Sequence, residues 1–313
     1  MFIALTVAAC LALAAAAPSY GQMHFVFAPH WSAQAQFAGY YVAKEKGFYE
    51  GAGLDVQIVH PFSTQTLEEQ LSSGEIDAIC MFLSEAIVLT DNGSDLVNIL
   101  QTSMNSSLAI VSRFGSNPLT MHGAKVLIWH AGFDQIPRCL DFKEQLYYDW
   151  VEASSTVNLF VSGAVDAAMV TSYNEYYQLL STGIVNPNSG IFRFAENGYN
   201  IQEDGVYMTA ENYARKSIEA DRFARATRLG WEWAASHPEE TLDIVMKYVK
   251  EFRIPSNRVL QQRMLEEVLR LQLDPNSGQR SFTLRPDMVG RASDLMLEAG
   301  IISRDVRYEE FLK

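Results

Sequence analysis

The chain has 313 residues, of which 48% are apolar and 19% charged, and its formal net charge is −13. This is ordinary globular composition, long enough for two lobes with separate cores, and it excludes a disordered chain. Acidic and basic residues are interspersed, which also argues against a nucleic-acid binder, since that affinity would come from lysine and arginine contacts to phosphate.

Residues 1–22 differ in kind. Met1 to Gln22 carries no charged side chain, Phe2–Ala17 is almost wholly apolar, and Pro18 with Tyr20-Gly21-Gln22 ends the run. The segment reads as a signal peptide for export to the periplasm, although no basic residue precedes the apolar core. Val7-Ala8-Ala9-Cys10 has the form of a lipidation box, so a lipid-anchored protein is the alternative. No later run is long and apolar enough to span a bilayer.

Past the leader, strands and helices alternate. His24–Ala28 reads as strand, Gln34–Tyr49 as helix ended by Gly51 and Gly53, and Asp55–Val59 as strand. Thr66–Ser73 (helix), Asp77–Met81 (strand), Ser84–Thr90 (helix) and Leu96–Thr102 (strand) follow. The rhythm restarts with strand Lys125–Trp129, helix Val157–Ser162, strand Asp166–Thr171, helix Asn174–Ser181 and strand Ile191–Ala195. Ser73-Gly74-Glu75-Ile76-Asp77-Ala78 in the first half matches Ser162-Gly163-Ala164-Val165-Asp166-Ala167 in the second. Both place a helix-ending glycine before an apolar strand, as two versions of one α/β unit would.

From Ala210 the pattern turns helical: Asp221–Ser236, Pro238–Glu251, Asn257–Arg270 and Arg285–Ala299. The expected architecture is α/β and two-lobed. Residues 23–106 and 207–313 form lobe 1, with the C-terminal helices packed mainly on it, and 107–206 form lobe 2. Strand-like Leu108–Ser112 and Val206–Thr209 are the expected crossings, with a ligand cleft between the lobes. Cys80 and Cys139 fall in different lobes, where a disulfide is possible in an oxidising compartment. No Cys or His spacing suits zinc, so neither a metal nor a cofactor is expected.

The stretch Trp31-Ser-Ala-Gln-Ala-Gln-Phe-Ala-Gly-Tyr-Tyr-Val-Ala-Lys-Glu-Lys-Gly-Phe-Tyr49, with Gly53-Leu-Asp-Val56, resembles the opening of one superfamily. It comprises substrate-binding proteins for thiamine pyrimidine precursors, riboflavin-like compounds, taurine and alkanesulfonates, together with the fungal thiamine pyrimidine synthase. The likeness continues through Gly163-Ala-Val-Asp-Ala-Ala168 and Tyr173-Asn-Glu-Tyr176 to Leu229-Gly-Trp-Glu-Trp-Ala234. It implies a type II periplasmic-binding-protein fold, a small-molecule ligand, and an ABC permease and ATPase as partners of a monomer. The synthase of this superfamily carries a lysine and a histidine at positions that here look like Met81 and Glu85. Neither can form a Schiff base or offer an imidazole, and the synthase's cysteine-rich stretch is absent, so a binding protein is expected rather than an enzyme.

Trp31 follows the first strand and Trp129 closes the first strand of lobe 2, so the two could sandwich a planar ligand; each could instead be packing. Gln36 offers a donor and an acceptor, and at most one of Tyr40 and Tyr41 should face the cleft, Tyr40 being the one expected to meet the ligand. The resemblance implies that Tyr173, Asn174 and Glu175 read the ligand; Glu175 either complements a helix N-terminus or accepts the amino group of an aminopyrimidine. Asp204 and Tyr207 read as hinge residues, or as cleft floor. The expected function is an exported solute-binding protein for a heteroaromatic thiamine precursor; a ligand sensor or a sulfonate binder are the alternatives.

Overall fold

The computed structural model of the chain describes residues 22–312, apart from 62–64, 114, 130–131 and 154–155. The expected signal peptide up to residue 21, Cys10 included, lies outside the described residues.

The first stretch runs β1 (Met23–Ala28), α1 (Ala38–Glu45), α2 (Phe48–Gly51), β2 (Leu54–Ile58), α3 (Leu67–Ser73), β3 (Ala78–Phe82), α4 (Leu83–Asp91) and β4 (Leu96–Gln101). The chain then crosses into β5 (Leu108–Ser112), β6 (Lys125–Trp129), α5 (Gln135–Glu144) and β7 (Asp149–Ala153). After these come α6 (Asn158–Ser162), β8 (Ala167–Thr171), α7 (Glu175–Ser181) and β9 (Ile191–Arg193). It returns through β10 (Asp204–Thr209) into α8 (Ala210–Ser236), α9 (Pro238–Glu251), α10 (Arg258–Leu271) and α11 (Pro286–Glu298).

Among the described residues there are two five-stranded sheets, ordered β2-β1-β3-β10-β4 and β7-β6-β8-β5-β9. The two follow one plan. Three parallel strands are extended by an antiparallel strand that has just crossed from the other lobe: β10 beside β3 in the first, β5 beside β8 in the second. The internal repeat has a structural reason. Gly74 and Gly163 both take φ near +80° (77° and 83°) to end α3 and α6. The aspartate three residues on then ties its strand to the neighbour: Val26 N–H donates to Asp77 at 2.8 Å, and Lys125 N–H donates to Asp166 at 2.9 Å.

The expected crossings at 108–112 and 206–209 are corrected. Both segments are interior sheet strands, and the crossings are the loops ahead of them, 102–107 and 194–203. Tyr207 is therefore no hinge residue: it sits inside β10, fully buried, with its ring edge-on to Phe311 at 5.9 Å. Helix α8 starts earlier than its periodicity suggests, because the Thr209 hydroxyl caps it and it bends at Lys216 (φ −126°, ψ 31°). α8 and α9 lie against α1, whereas α11 lies across α4 and α5 and so touches both halves. Cys80 and Cys139 are buried free thiols, so the possible disulfide is not formed.

Candidate ligand-binding cleft

The loop after β1 carries His30 and Trp31 to the cleft, and a buried histidine holds it there. A carbonyl can only accept, so His60 Nδ1 carries the proton given to Trp31 O (2.7 Å), and the neutral ring's Nε2 accepts from the Tyr41 hydroxyl (2.9 Å). Burial lowers the His60 pKa to about 4, which keeps it neutral in this role.

Trp31 and Phe133 meet edge to face at 5.7 Å, and two cavities flank the pair. The outer one, about 210 Å³, is walled by His30, Trp31, Phe82 and Phe133, with Glu68 and Glu85 as its acids. Phe82 and Phe133 pack at 4.8 Å across the lobes. Gln135 bridges the same gap, donating to Glu85 at 2.8 Å while accepting from Ser84 at 3.2 Å. On the other side, the Ser172 hydroxyl donates to Glu267 at 2.6 Å. The lobes are thus in contact on both sides of the cleft. Burial, and then the Glu68 charge, raise the Glu85 pKa.

The inner cavity brings together Trp31, Gln36, Trp129, Tyr173, Asn174 and Glu175. At about 10 Å³ it has room for little more than one water, so a ring could enter only with the lobes apart. Glu175 accepts from Thr171 N–H (3.0 Å), the Thr171 hydroxyl (2.6 Å) and Asn174 Nδ2 (2.8 Å). Burial nonetheless raises its pKa. The Trp129 indole N–H is buried with no partner among the described residues.

Asp204 sits at the cleft floor, accepting from Gln36 Nε2 at 2.8 Å with His30 Nε2 2.9 Å away. Its backbone carbonyl also receives Thr102 N–H (2.8 Å) and Ser103 N–H (3.1 Å), so it ties down the first crossing as well. Glu203, beside it, accepts from the Ser106 hydroxyl (2.7 Å), Ser107 N–H (2.8 Å) and the Ser107 hydroxyl (2.6 Å), joining the two crossings. Burial pushes its pKa up to about 7.

Six of the seven expected ligand residues therefore converge. Tyr40 does not: it is fully buried, stacked on Phe27 at 4.4 Å, below the cleft rather than in its wall. Sequence reasoning missed His30, Phe82, Glu85 and Phe133 as wall residues. The available signal was position, since each lies within four residues of the end of β1, β3 or β6, where such sheets face their cleft. Among the described residues lining the outer cavity, the inner cavity and a third small one at the cleft floor beside Glu203 and Asp204, there is no lysine or arginine. Arg138 pairs with Asp134 at 2.6 Å, and Arg113 bonds the Phe160 carbonyl, both within lobe 2 and away from the cleft.

The family described as NMT1/THI5 like matches residues 34–241. A curated relative, the formylaminopyrimidine-binding protein of Halalkalibacterium halodurans, is 24% identical over 266 residues, covering 79% of this chain and 77% of its own. The alkanesulfonate-binding protein of Xanthomonas axonopodis pv. citri, solved with MOPS, superposes with a TM-score of 0.68 at 11% identity, covering 94% of this chain and 99% of that one. The ligand-binding component of an ABC-type import system from Staphylococcus aureus, solved with zinc bound, gives 0.69 at 10% identity, covering 93% and 97%. These structural likenesses establish the type II periplasmic-binding-protein fold.

Proposed function

Because the chain belongs to the NMT1/THI5-like family, we propose that it is the exported substrate-binding component of an ABC-type importer, closing on a small amino-substituted heteroaromatic of the formylaminopyrimidine kind. One observation carries the ligand class: the cleft is lined by aromatic rings, amides and the acids Glu68, Glu85, Glu175, Glu203 and Asp204, with no cation among the described lining residues. Such walls suit a planar ligand that donates hydrogen bonds or carries positive charge. They oppose an oxyanion such as a sulfonate: no arginine or lysine lines these cavities, and the helix N-termini that reach them carry acids of their own, Glu68 in α3, Glu85 in α4 and Glu175 in α7. The pyrimidine named for the curated relative is a ligand of that kind. Met81 and Glu85 in the outer wall supply no amine or imidazole for covalent chemistry, which supports binding without conversion.

The test is a thermal-shift panel of aminopyrimidines, flavins, sulfonates and nitrate, since a ligand of the folded form alone raises the melting temperature by mass action. An aminopyrimidine should give the largest rise and be recovered unchanged. A rise with sulfonate but none with aminopyrimidines would overturn the ligand class, and recovery of a modified compound would overturn the non-catalytic reading.

Trp31→Ala should weaken the best ligand of that panel at least about tenfold, from the loss of ring area and stacking, while Trp31→Phe retains most of it. Calorimetry checks this, with the ligand-free melting temperature as control. Equal affinity in Trp31→Ala and the parent would remove the indole from the site.

A further inference from the structure

At the floor of the cleft lies a cluster that shares His30 and Asp204 with the amino-heteroaromatic reading and adds a thiol which that reading does not use. His30 comes from the loop after β1, Cys80 from β3 and Asp204 from the start of β10, and their ligand atoms all lie within 4.8 Å of one another. Cys80 is fully buried, Asp204 is buried, and His30 reaches the outer cavity and so gives the cluster an entry path. We propose that this floor is a site for a divalent transition cation of the zinc class, bound by His30 Nε2, Cys80 Sγ and the Asp204 carboxylate. One nitrogen, one sulfur and one oxygen are the donor types such ions take, whereas magnesium or calcium would call for oxygen alone.

The surroundings of these groups point the same way. The Tyr40 hydroxyl is buried with no hydrogen bond of good geometry among the described residues; Thr102 and Cys80 are the groups within its reach, and Asp204 is a further electrostatic neighbour. A metal-bound thiolate would give that O–H an acceptor. His30 Nε2, moreover, lies 2.9 Å from Asp204 Oδ1, so a proton on that nitrogen bridges the two. A cation in place of the proton lets His30 Nε2 and Asp204 Oδ1 both present lone pairs.

The site loads without any organic ligand, so its test is separate from the panel above. Metal-free protein lacking a histidine tag is titrated with Co²⁺ alone and then with Zn²⁺. One equivalent of Co²⁺ should produce tetrahedral visible absorption together with a thiolate-to-cobalt charge-transfer band, and Zn²⁺ should abolish both. In Cys80→Ala the charge-transfer band should vanish, and Asp204→Asn should weaken Co²⁺ at least tenfold, with circular dichroism confirming that both variants fold. Should either variant fail to fold, the parent titration decides alone. Saturation without a charge-transfer band overturns the proposal, as does a band that survives in Cys80→Ala, since the thiolate would then be Cys139.

Discussion

A single methyl group placed at Gly230 is expected to lower the melting temperature by roughly 5 °C, the equivalent of about 3 kcal/mol in a chain of this size. A Cβ at Gly230 would stand 2.1 Å from the Gly39 carbonyl oxygen and 2.9 Å from the Ala43 Cβ, and one at Gly39 would stand 2.2 Å from the Trp231 ring. Helices α1 and α8 therefore touch backbone to backbone. The obstacle at Gly230 is a carbonyl rather than a flexible side chain, so relief requires moving a helix, which puts the cost at the upper end of overpacking penalties. Because α1 starts directly after Gln36 and Phe37, that movement reaches the cleft floor, and ligand affinity should fall along with stability. Gly290→Ala supplies the opposite sign. Gly290 lies inside α11 with no atom within 4 Å of an added Cβ, so alanine there should stabilise by about 0.5–1 kcal/mol. Calorimetric scans of both variants check the pair; a Gly230→Ala protein melting with the parent would contradict the close helix contact.

Elements with a strong period or a capping signal were readable from sequence. Thr66 and Glu69 form a capping box at α3, Asn257 caps α10, and β3 and β8 are continuous apolar runs after their glycines. Two elements of lobe 2 were not read. In α5, Pro137 resembles a breaker, yet it falls in the first turn, where a missing N–H costs nothing. In β7, Asp149–Ala153 is half exposed at the sheet edge and lacks the apolar run of its neighbours. The crossings were misplaced because Leu108–Ser112 and Asp204–Thr209 look like ordinary strands, and sequence does not say which sheet a strand joins. The same limit hid half of the cleft. Trp31 and Trp129 could be named from their places after strands, but the outer cavity exists only because Phe133 of one lobe meets Phe82 and His30 of the other. His30, Cys80 and Asp204 are likewise too far apart in the chain for any spacing rule to join them.

Two buried groups should make stability depend on pH in opposite directions, and removing either one should expose the other. His60 titrates near 4 in the folded protein against 6.5 when free, so its contribution is fully present above about pH 6.5 and is lost as pH falls toward 4. The limit of that loss is about 3 kcal/mol. Glu203 is shifted the other way, to about 7 from 4.5. Its folded form holds a proton that the unfolded chain releases, so stability rises as pH falls from 7 to 4.5, by a similar limit of about 3 kcal/mol. Glu85 and Glu175, also raised by burial, add in the direction of Glu203. Between pH 7 and 4.5 the His60 and Glu203 contributions should therefore largely cancel in the parent, with Glu85 and Glu175 leaving a net rise in stability as pH falls. His60→Gln should leave the carboxylates unopposed, so its unfolding free energy should climb relative to the parent as pH is lowered. Glu203→Gln should fall relative to the parent over the same window. Both variants can be less stable than the parent at pH 7, because each breaks buried hydrogen bonds; the slope, not the offset, is the reading. Denaturant unfolding at pH 7, 5.5 and 4.5 measures it. A His60→Gln slope parallel to the parent's would show that His60 takes up its proton without unfolding, and the neutral ring that holds the Trp31 carbonyl in place would then have to be abandoned.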